Sequence, residues 1–291
     1  MNESPRTDRR APANAALRVA APVLALLALL ALATLVPPDL AGAALRIEST
    51  DRTRANGMDA AFDRLSDRAL VLVAFDADLG TYAETRPVVR AAIADLRARG
   101  ARLAIVSFTA EGRALAVAEL SRLQRLGAED EEIADLGFAG AAEAGLVGAI
   151  PNIVPRGAEG SIVEAIRSRG SDLDAFALVL VVSGGDLSVR SWVEQVLPRV
   201  PDLPIAAIAP TFLEPELAPY LRTGQLRALL ATVPEGLAYV DGIAEADHGR
   251  AAAVGALPML VGLLVALGVM AQSLLAPLVR RSRPDRWRRV G

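Results

Sequence analysis

The stretch that decides the fold is Ala69–Phe75, ALVLVAF, followed at once by Asp76-Ala77-Asp78-Leu79-Gly80-Thr81. An apolar run with no alternation reads as a strand buried on both faces, as in a parallel sheet covered by helices. Three more such runs follow, at Leu103–Phe108, Ala175–Val182 and Ile205–Ala209. Between them the period turns helical. Val89, Ala92, Ile93 and Leu96 form one stripe, stopped by Gly100. Leu115 to Leu126, closed by Gly127, forms a second, and Val189, Trp192, Val193 and Val196, ended by Pro198, form a third. Glycine suits the left-handed residue that closes a helix, and proline cannot continue one. Strand–helix alternation implies right-handed crossovers. The expected fold is α/β, a doubly wound and mostly parallel sheet of Rossmann-like or flavodoxin-like type. Weaker strands are expected at Ile133–Phe138 and Ala238–Val240, with one or two short helices in residues 139–174. Glu214–Leu230 should give one or two helices split near Gly224, and Glu129–Glu132 a solvated loop.

Outward from this core the composition changes. Of 291 residues, 53% are hydrophobic and none is Lys or Cys, which excludes disulfides and thiolate-ligated metal. Val19–Val36 is an uncharged run closed by Pro37-Pro38, long enough at about 1.5 Å per residue to cross a hydrocarbon core. Ala251–Val279 is a second run without a charge. Four arginines (Arg6, Arg9, Arg10, Arg18) precede the first run, and six (Arg280, Arg281, Arg283, Arg286, Arg288, Arg289) follow the second. Positive flanks stay in the cytoplasm. The segment between the runs, residues 44–250, is therefore expected outside the membrane. The organisation reads as a basic tail at 1–18, a transmembrane helix or signal anchor at 19–36, and a linker with the start of the exported domain at 37–68. The extracytoplasmic α/β domain covers 69–245, a second transmembrane helix 251–279, and a basic tail 280–291. Ala41-Gly42-Ala43 fits a signal-peptide cleavage site, so removal of residues 1–43 stays open. The middle of the chain is acidic, which excludes nucleic acid as a partner. The lipid bilayer is the expected partner, with a membrane or surface protein as a second.

Gly137-Phe138 within DLGF, Gly185-Asp186-Leu187 ahead of Trp192-Val193, Pro219-Tyr220-Leu221 and Gly224-Gln225-Leu226 carry a resemblance. They are similar to motifs of an uncharacterised family of bacterial membrane proteins. That family sets an α/β domain between terminal transmembrane helices. The resemblance implies this architecture and no catalytic residue.

Ligands of open α/β sheets bind outside the carboxyl ends of the strands. That rule selects Asp76, Asp78, Ser107, Thr109, Ser183, Gly184, Gly185 and Asp186 as ligand-binding candidates. Asp76-Ala77-Asp78 also resembles the nucleophile and acid–base aspartates of haloacid-dehalogenase phosphatases, with Ser107 or Thr109 as the phosphate-binding hydroxyl. Such chemistry uses Mg²⁺. The chain lacks that family's lysine, and Leu79 intrudes before Gly80-Thr81. A von Willebrand A-type metal site would need hydroxyls where Asp78 and Gly80 stand. No GxGxxG follows the first strand, and His248 is the only histidine. Ser183-Gly184-Gly185 offers backbone amides to an anion, or simply the glycine of a strand–helix turn. Asp76 and Asp78 equally suit a helix cap or an Asx turn. The expectation is a binding domain for a partner protein or small ligand, with no catalytic residue, metal or cofactor. An exported Mg-dependent phosphatase-like hydrolase using Asp76 and Asp78 is the alternative. A structural subunit of a membrane assembly is the third reading.

Overall fold

The computed structural model describes residues 52–184, 187, 189–243, 262 and 265. The apolar runs Val19–Val36 and Ala251–Val279 lie outside these residues apart from Gly262 and Val265, as do Gly185, Asp186 and His248. Among the described residues no helix is long and apolar enough to cross a membrane.

Six parallel strands form one sheet in the order β3-β2-β1-β4-β5-β6. They are β1 (Leu70–Asp76), β2 (Arg102–Ser107), β3 (Ile133–Phe138), β4 (Leu178–Ser183), β5 (Ile205–Ile208) and β6 (Ala228–Leu230). Every residue of β1 and β4 is buried, as their unbroken apolarity requires. Helices α1 (Thr53–Phe62), α2 (Leu79–Ala98), α3 (Ala110–Arg125) and α8 (Val233–Val240) cover one face, against Val71, Val73, Phe75 and Ile105. Helices α4 (Ala142–Ala149), α5 (Ser161–Arg167), α6 (Val189–Ser191, continued by a π-helical turn Trp192–Val196) and α7 (Glu214–Arg222) cover the other. They pack on Leu70, Leu72, Ala74 and Val181. The chain thus winds from β1 outward to β3, crosses back, and winds from β4 outward to β6. This is a doubly wound sheet whose winding reverses between β1 and β4.

Both sheet edges are closed to further pairing. At β3 the register slips between Ile105 and Val106, Gly137 takes φ 84°, and the Asp135 carboxylate accepts the Gly137 amide at 2.8 Å. Arg113 grips that carboxylate through two bonds of 2.6 and 2.8 Å. A bulge with an ion pair is a standard way to blunt an edge. At β6, helix α1 packs alongside the strand.

Three expectations needed correction. Ala238–Val240 is the end of α8 rather than a strand, and the missed signal is a capping box. Thr232 accepts the Glu235 amide while the Glu235 carboxylate accepts the Thr232 amide. Ala228–Leu230, expected within a helix, is the sixth strand. Helix α7 stops ahead of it and Gly224, at φ 79°, turns the chain. Finally, Ala175 belongs to a short 3₁₀ turn, so β4 starts only at Leu178. Helix α1 also places residues ahead of 69 in the fold.

Gly112 shows how tightly α3 docks. A Cβ there would stand 1.9 Å from the Phe75 carbonyl oxygen and 2.7 Å from Thr109 Oγ1. Gly112→Ala forces the helix off β1 and is expected to cost about 2 kcal/mol. The measure is a lower denaturant midpoint with an unchanged slope.

Candidate functional site

Where the winding reverses, β1 and β4 end side by side, with Asp76 paired in register with Ser183. Residue alternation puts both side chains on the face of α6. Asp76 is 0% exposed. Its Oδ1 accepts the Phe108 amide at 2.9 Å, and its Oδ2 accepts the Trp192 indole N–H at 3.3 Å. Trp192 stands at the start of the π-helical turn and meets Phe108 edge-on, with ring centroids 5.8 Å apart. Burial pushes the Asp76 carboxyl up to about 7, and the two N–H donors only partly offset it. No arginine is among the causes of that shift. The Ser183 hydroxyl, also buried, lies at the 3.5 Å limit of a bond to the Leu187 carbonyl.

Asp78 does different work. Its backbone is extended, and its carboxylate caps α2, with Oδ1 accepting the Thr81 amide at 2.8 Å and Oδ2 the Thr81 hydroxyl at 2.6 Å. Burial pushes this carboxyl up, but the Thr81 hydroxyl and amide and the Gly80 amide outweigh it and hold it below the ordinary range. The next free amide of the same turn, that of Leu79, is taken by Glu111 Oε2 at 2.8 Å. A helix N-terminus at a switch point is a ready-made phosphate site. Here its amides are occupied by two of the chain's own carboxylates.

The opposite wall is equally close. Thr81 Oγ1 lies 3.3 Å from the Gly184 carbonyl, and a Cβ on Gly184 would stand 2.2 Å from that hydroxyl. The turn after β4 therefore needs glycine for its approach to α2, whatever it binds.

Ser107 and Thr109 do not join this group. Ser107 alternates with Val106 onto the α2–α3 face, where its buried hydroxyl makes no hydrogen bond. Thr109 caps α3 by accepting the Gly112 amide at 3.1 Å. The structure thus brings together Asp76 with Ser183, and Asp78 with Gly184. It adds three residues that the sequence did not single out for the site: Thr81, Glu111 and Trp192. Trp192 was legible only as a core residue of its stripe. Among the described residues no cluster of His, Asp and Glu could hold a metal ion.

The chemistry on offer is narrow. Asp76 changes charge near neutral pH but has no exposed face. Asp78 is exposed enough to meet a solute, yet its lone pairs are already engaged. No family model, no curated protein and no solved structure matches the chain.

Proposed function

We propose that the chain is an integral membrane protein that holds its α/β domain outside a bacterial-type membrane on two anchors, residues 19–36 and 251–279. The domain binds a partner protein or a small ligand and runs no reaction. The observation that carries this reading is that the side chain at the first described residue reaches the last turn of the domain. Helix α1 runs beside α8 from the carboxyl edge, where Arg54 pairs with Glu214 and Glu235, to the amino edge. The Arg52 guanidinium lies against Gly242, at 2.8 Å from where a Cβ would be, and α1 packs on α8. A domain tethered at both ends to one bilayer needs tethers long enough for both ends to reach it. Residues 244–250 reach at most about 25 Å and residues 37–51 about 50 Å.

The direction of α8 orients the domain. It starts at the carboxyl edge after β6 and ends with the Tyr239 hydroxyl on Asp95, near the close of α2, at the amino edge of the sheet. The short tether therefore leaves from the amino edge, which faces the bilayer. The carboxyl edge points away, and there Leu79 at the start of α2, Phe138 at the end of β3 and Phe212 after β5 stand exposed. Glu84, Glu111, Glu214 and Glu216 lie on the same edge. Exposed apolar side chains within a polar field suit a protein partner.

The phosphatase alternative asks Asp76 to attack a phosphoryl group and Asp78 to move a proton. The first is sealed beneath Trp192 and the second is committed to α2, so the binding reading is preferred. Reporter fusions after residue 45 and after residue 240 test the placement. Both are expected to report from outside the membrane, and a cytoplasmic reporter at either position overturns it.

A further inference from the structure

We propose that Arg68, Arg102 and Arg169 form a site for the phosphate of an anionic lipid headgroup in the bilayer that anchors the chain; this rests on the placement proposed above. The three converge at the amino edge from different elements. Arg102 opens β2, Arg68 stands two residues before β1, and Arg169 lies in the turn after α5. The sheet sets them side by side. The Arg102 amide bonds the Ala69 carbonyl at 2.8 Å, and the Ala177 amide, at the start of β4, bonds Leu70 at 2.8 Å. Arg102 Nε donates to the Arg68 carbonyl at 3.1 Å, and Arg169 Nη1 to the Ala175 carbonyl at 3.1 Å.

Seven arginines of the domain are ion-paired, among them Arg54, Arg97, Arg99 and Arg113, whereas Arg68, Arg102 and Arg169, like Arg64, Arg125 and Arg156, have no acidic partner among the described residues. Arg68 also holds a left-handed backbone, φ 55°, which is costly for a residue with a Cβ. The Arg102 bond to its carbonyl secures that turn, and Arg68 and Arg169 stay exposed. Burial and then the charges of Arg68 and Arg169 disfavour the cationic form of Arg102. Like charges are thus held together with no acid in ion-pair contact. Asp67, Glu129, Glu131 and Glu132 line the hollow beside Arg68 and Arg102. Glu132 pairs with Arg97 at 2.7 Å, and Asp67 lies against Gly100. Guanidinium forks match phosphate oxygens bidentately. The nearest phosphates to an edge tethered by seven residues are those of the headgroups.

The chain has no cysteine, so Ser66→Cys, exposed beside the trio, accepts a single fluorophore. The full chain is reconstituted in phosphatidylcholine vesicles with or without phosphatidylglycerol, and energy transfer to a headgroup-labelled acceptor is read. The docked population should rise about fivefold for each arginine engaged once the anionic lipid is present. Arg68→Glu/Arg169→Glu, with circular dichroism unchanged, should erase that rise, and so should Arg68→Gln/Arg169→Gln. Equal transfer in both lipid compositions overturns the proposal, as does a rise that survives both variants. Millimolar inorganic phosphate, against chloride of equal ionic strength, should leave the transfer unchanged. A loss to phosphate alone would assign the trio to a free anion and overturn the lipid. Protein that alkaline carbonate strips from the vesicles would sink the anchored reading itself.

Discussion

Raising the pH from about 5 to about 8 should lower the unfolding free energy by roughly 3 kcal/mol, and Asp76→Asn should flatten that slope. In the unfolded chain Asp76 titrates near 3.8, whereas burial in the fold raises it to about 7. Between those values the folded state binds the extra proton, so stability falls as pH rises. The contribution is fully present below the unfolded value and is lost through the folded one. Asp78, Glu119 and Asp135 are shifted down, so their stabilisation is lost only as pH falls towards strong acid. Asp59, only partly buried, is raised and adds weakly to the same slope as Asp76. The window up to about 7 therefore belongs chiefly to Asp76. In Asp76→Asn the amide oxygen still accepts the Phe108 N–H, but its NH₂ cannot accept from Trp192. The variant should be weaker at acid pH and draw level with the native chain above neutrality. Denaturant unfolding of the full chain in detergent, followed by circular dichroism across pH, gives the two curves. Parallel curves would contradict a buried Asp76.

Trp192→Ala should cost about 4 kcal/mol, among the largest single losses in the domain. The side chain is 0% exposed, packs edge-on against Phe108, and supplies one of the two donors to Asp76. Truncation leaves a cavity beside a buried carboxyl that has lost a partner. Trp192→Phe separates the two effects. It keeps a ring against Phe108 and should cost only about 1–2 kcal/mol. The indole N–H favours the ionised carboxylate, so its loss moves the Asp76 titration to higher pH. The pH at which stability falls should shift upward in Trp192→Phe and not in a control such as Phe62→Leu on the other face. Repeating the pH series on these variants reads both numbers. An unshifted curve in Trp192→Phe would mean that the long indole bond carries no weight.

These two side chains show what the sequence could carry and what it could not. The sheet was legible because burial on both faces writes itself as an unbroken run, and β1 and β2 lie where those runs stand. Ile133–Phe138 was legible for the weaker reason that an edge strand keeps partial alternation, with Leu136 inward and Asp135 outward. The last strand was not, since Ala228–Leu230 is too short to show a period and follows a genuine helix. Its position is set by pairing with β5, a long-range fact. The short α8 was hidden because its apolar face looks strand-like, although the Thr232–Glu235 box marked its start.

At the site, proximity to the carboxyl ends named the right aspartates but could not assign their roles. Asp76 and Asp78 are two residues apart on one turn, yet one points under Trp192 and the other up into α2. Their environments differ because β1 ends between them. Nor could spacing show that Glu111, from the first turn of α3, would take the Leu79 amide. Contacts between elements far apart in sequence decide that an outwardly ordinary switch point carries its own anions.

The claim that the chain's own carboxylates occupy the switch point is tested most directly by titrating the full chain with a nucleoside triphosphate and a phosphate ester in the presence of Mg²⁺. The expected result is no saturable binding and no phosphate release. Magnesium-dependent turnover that disappears in Asp76→Asn or Asp78→Asn would contradict the claim and restore the hydrolase.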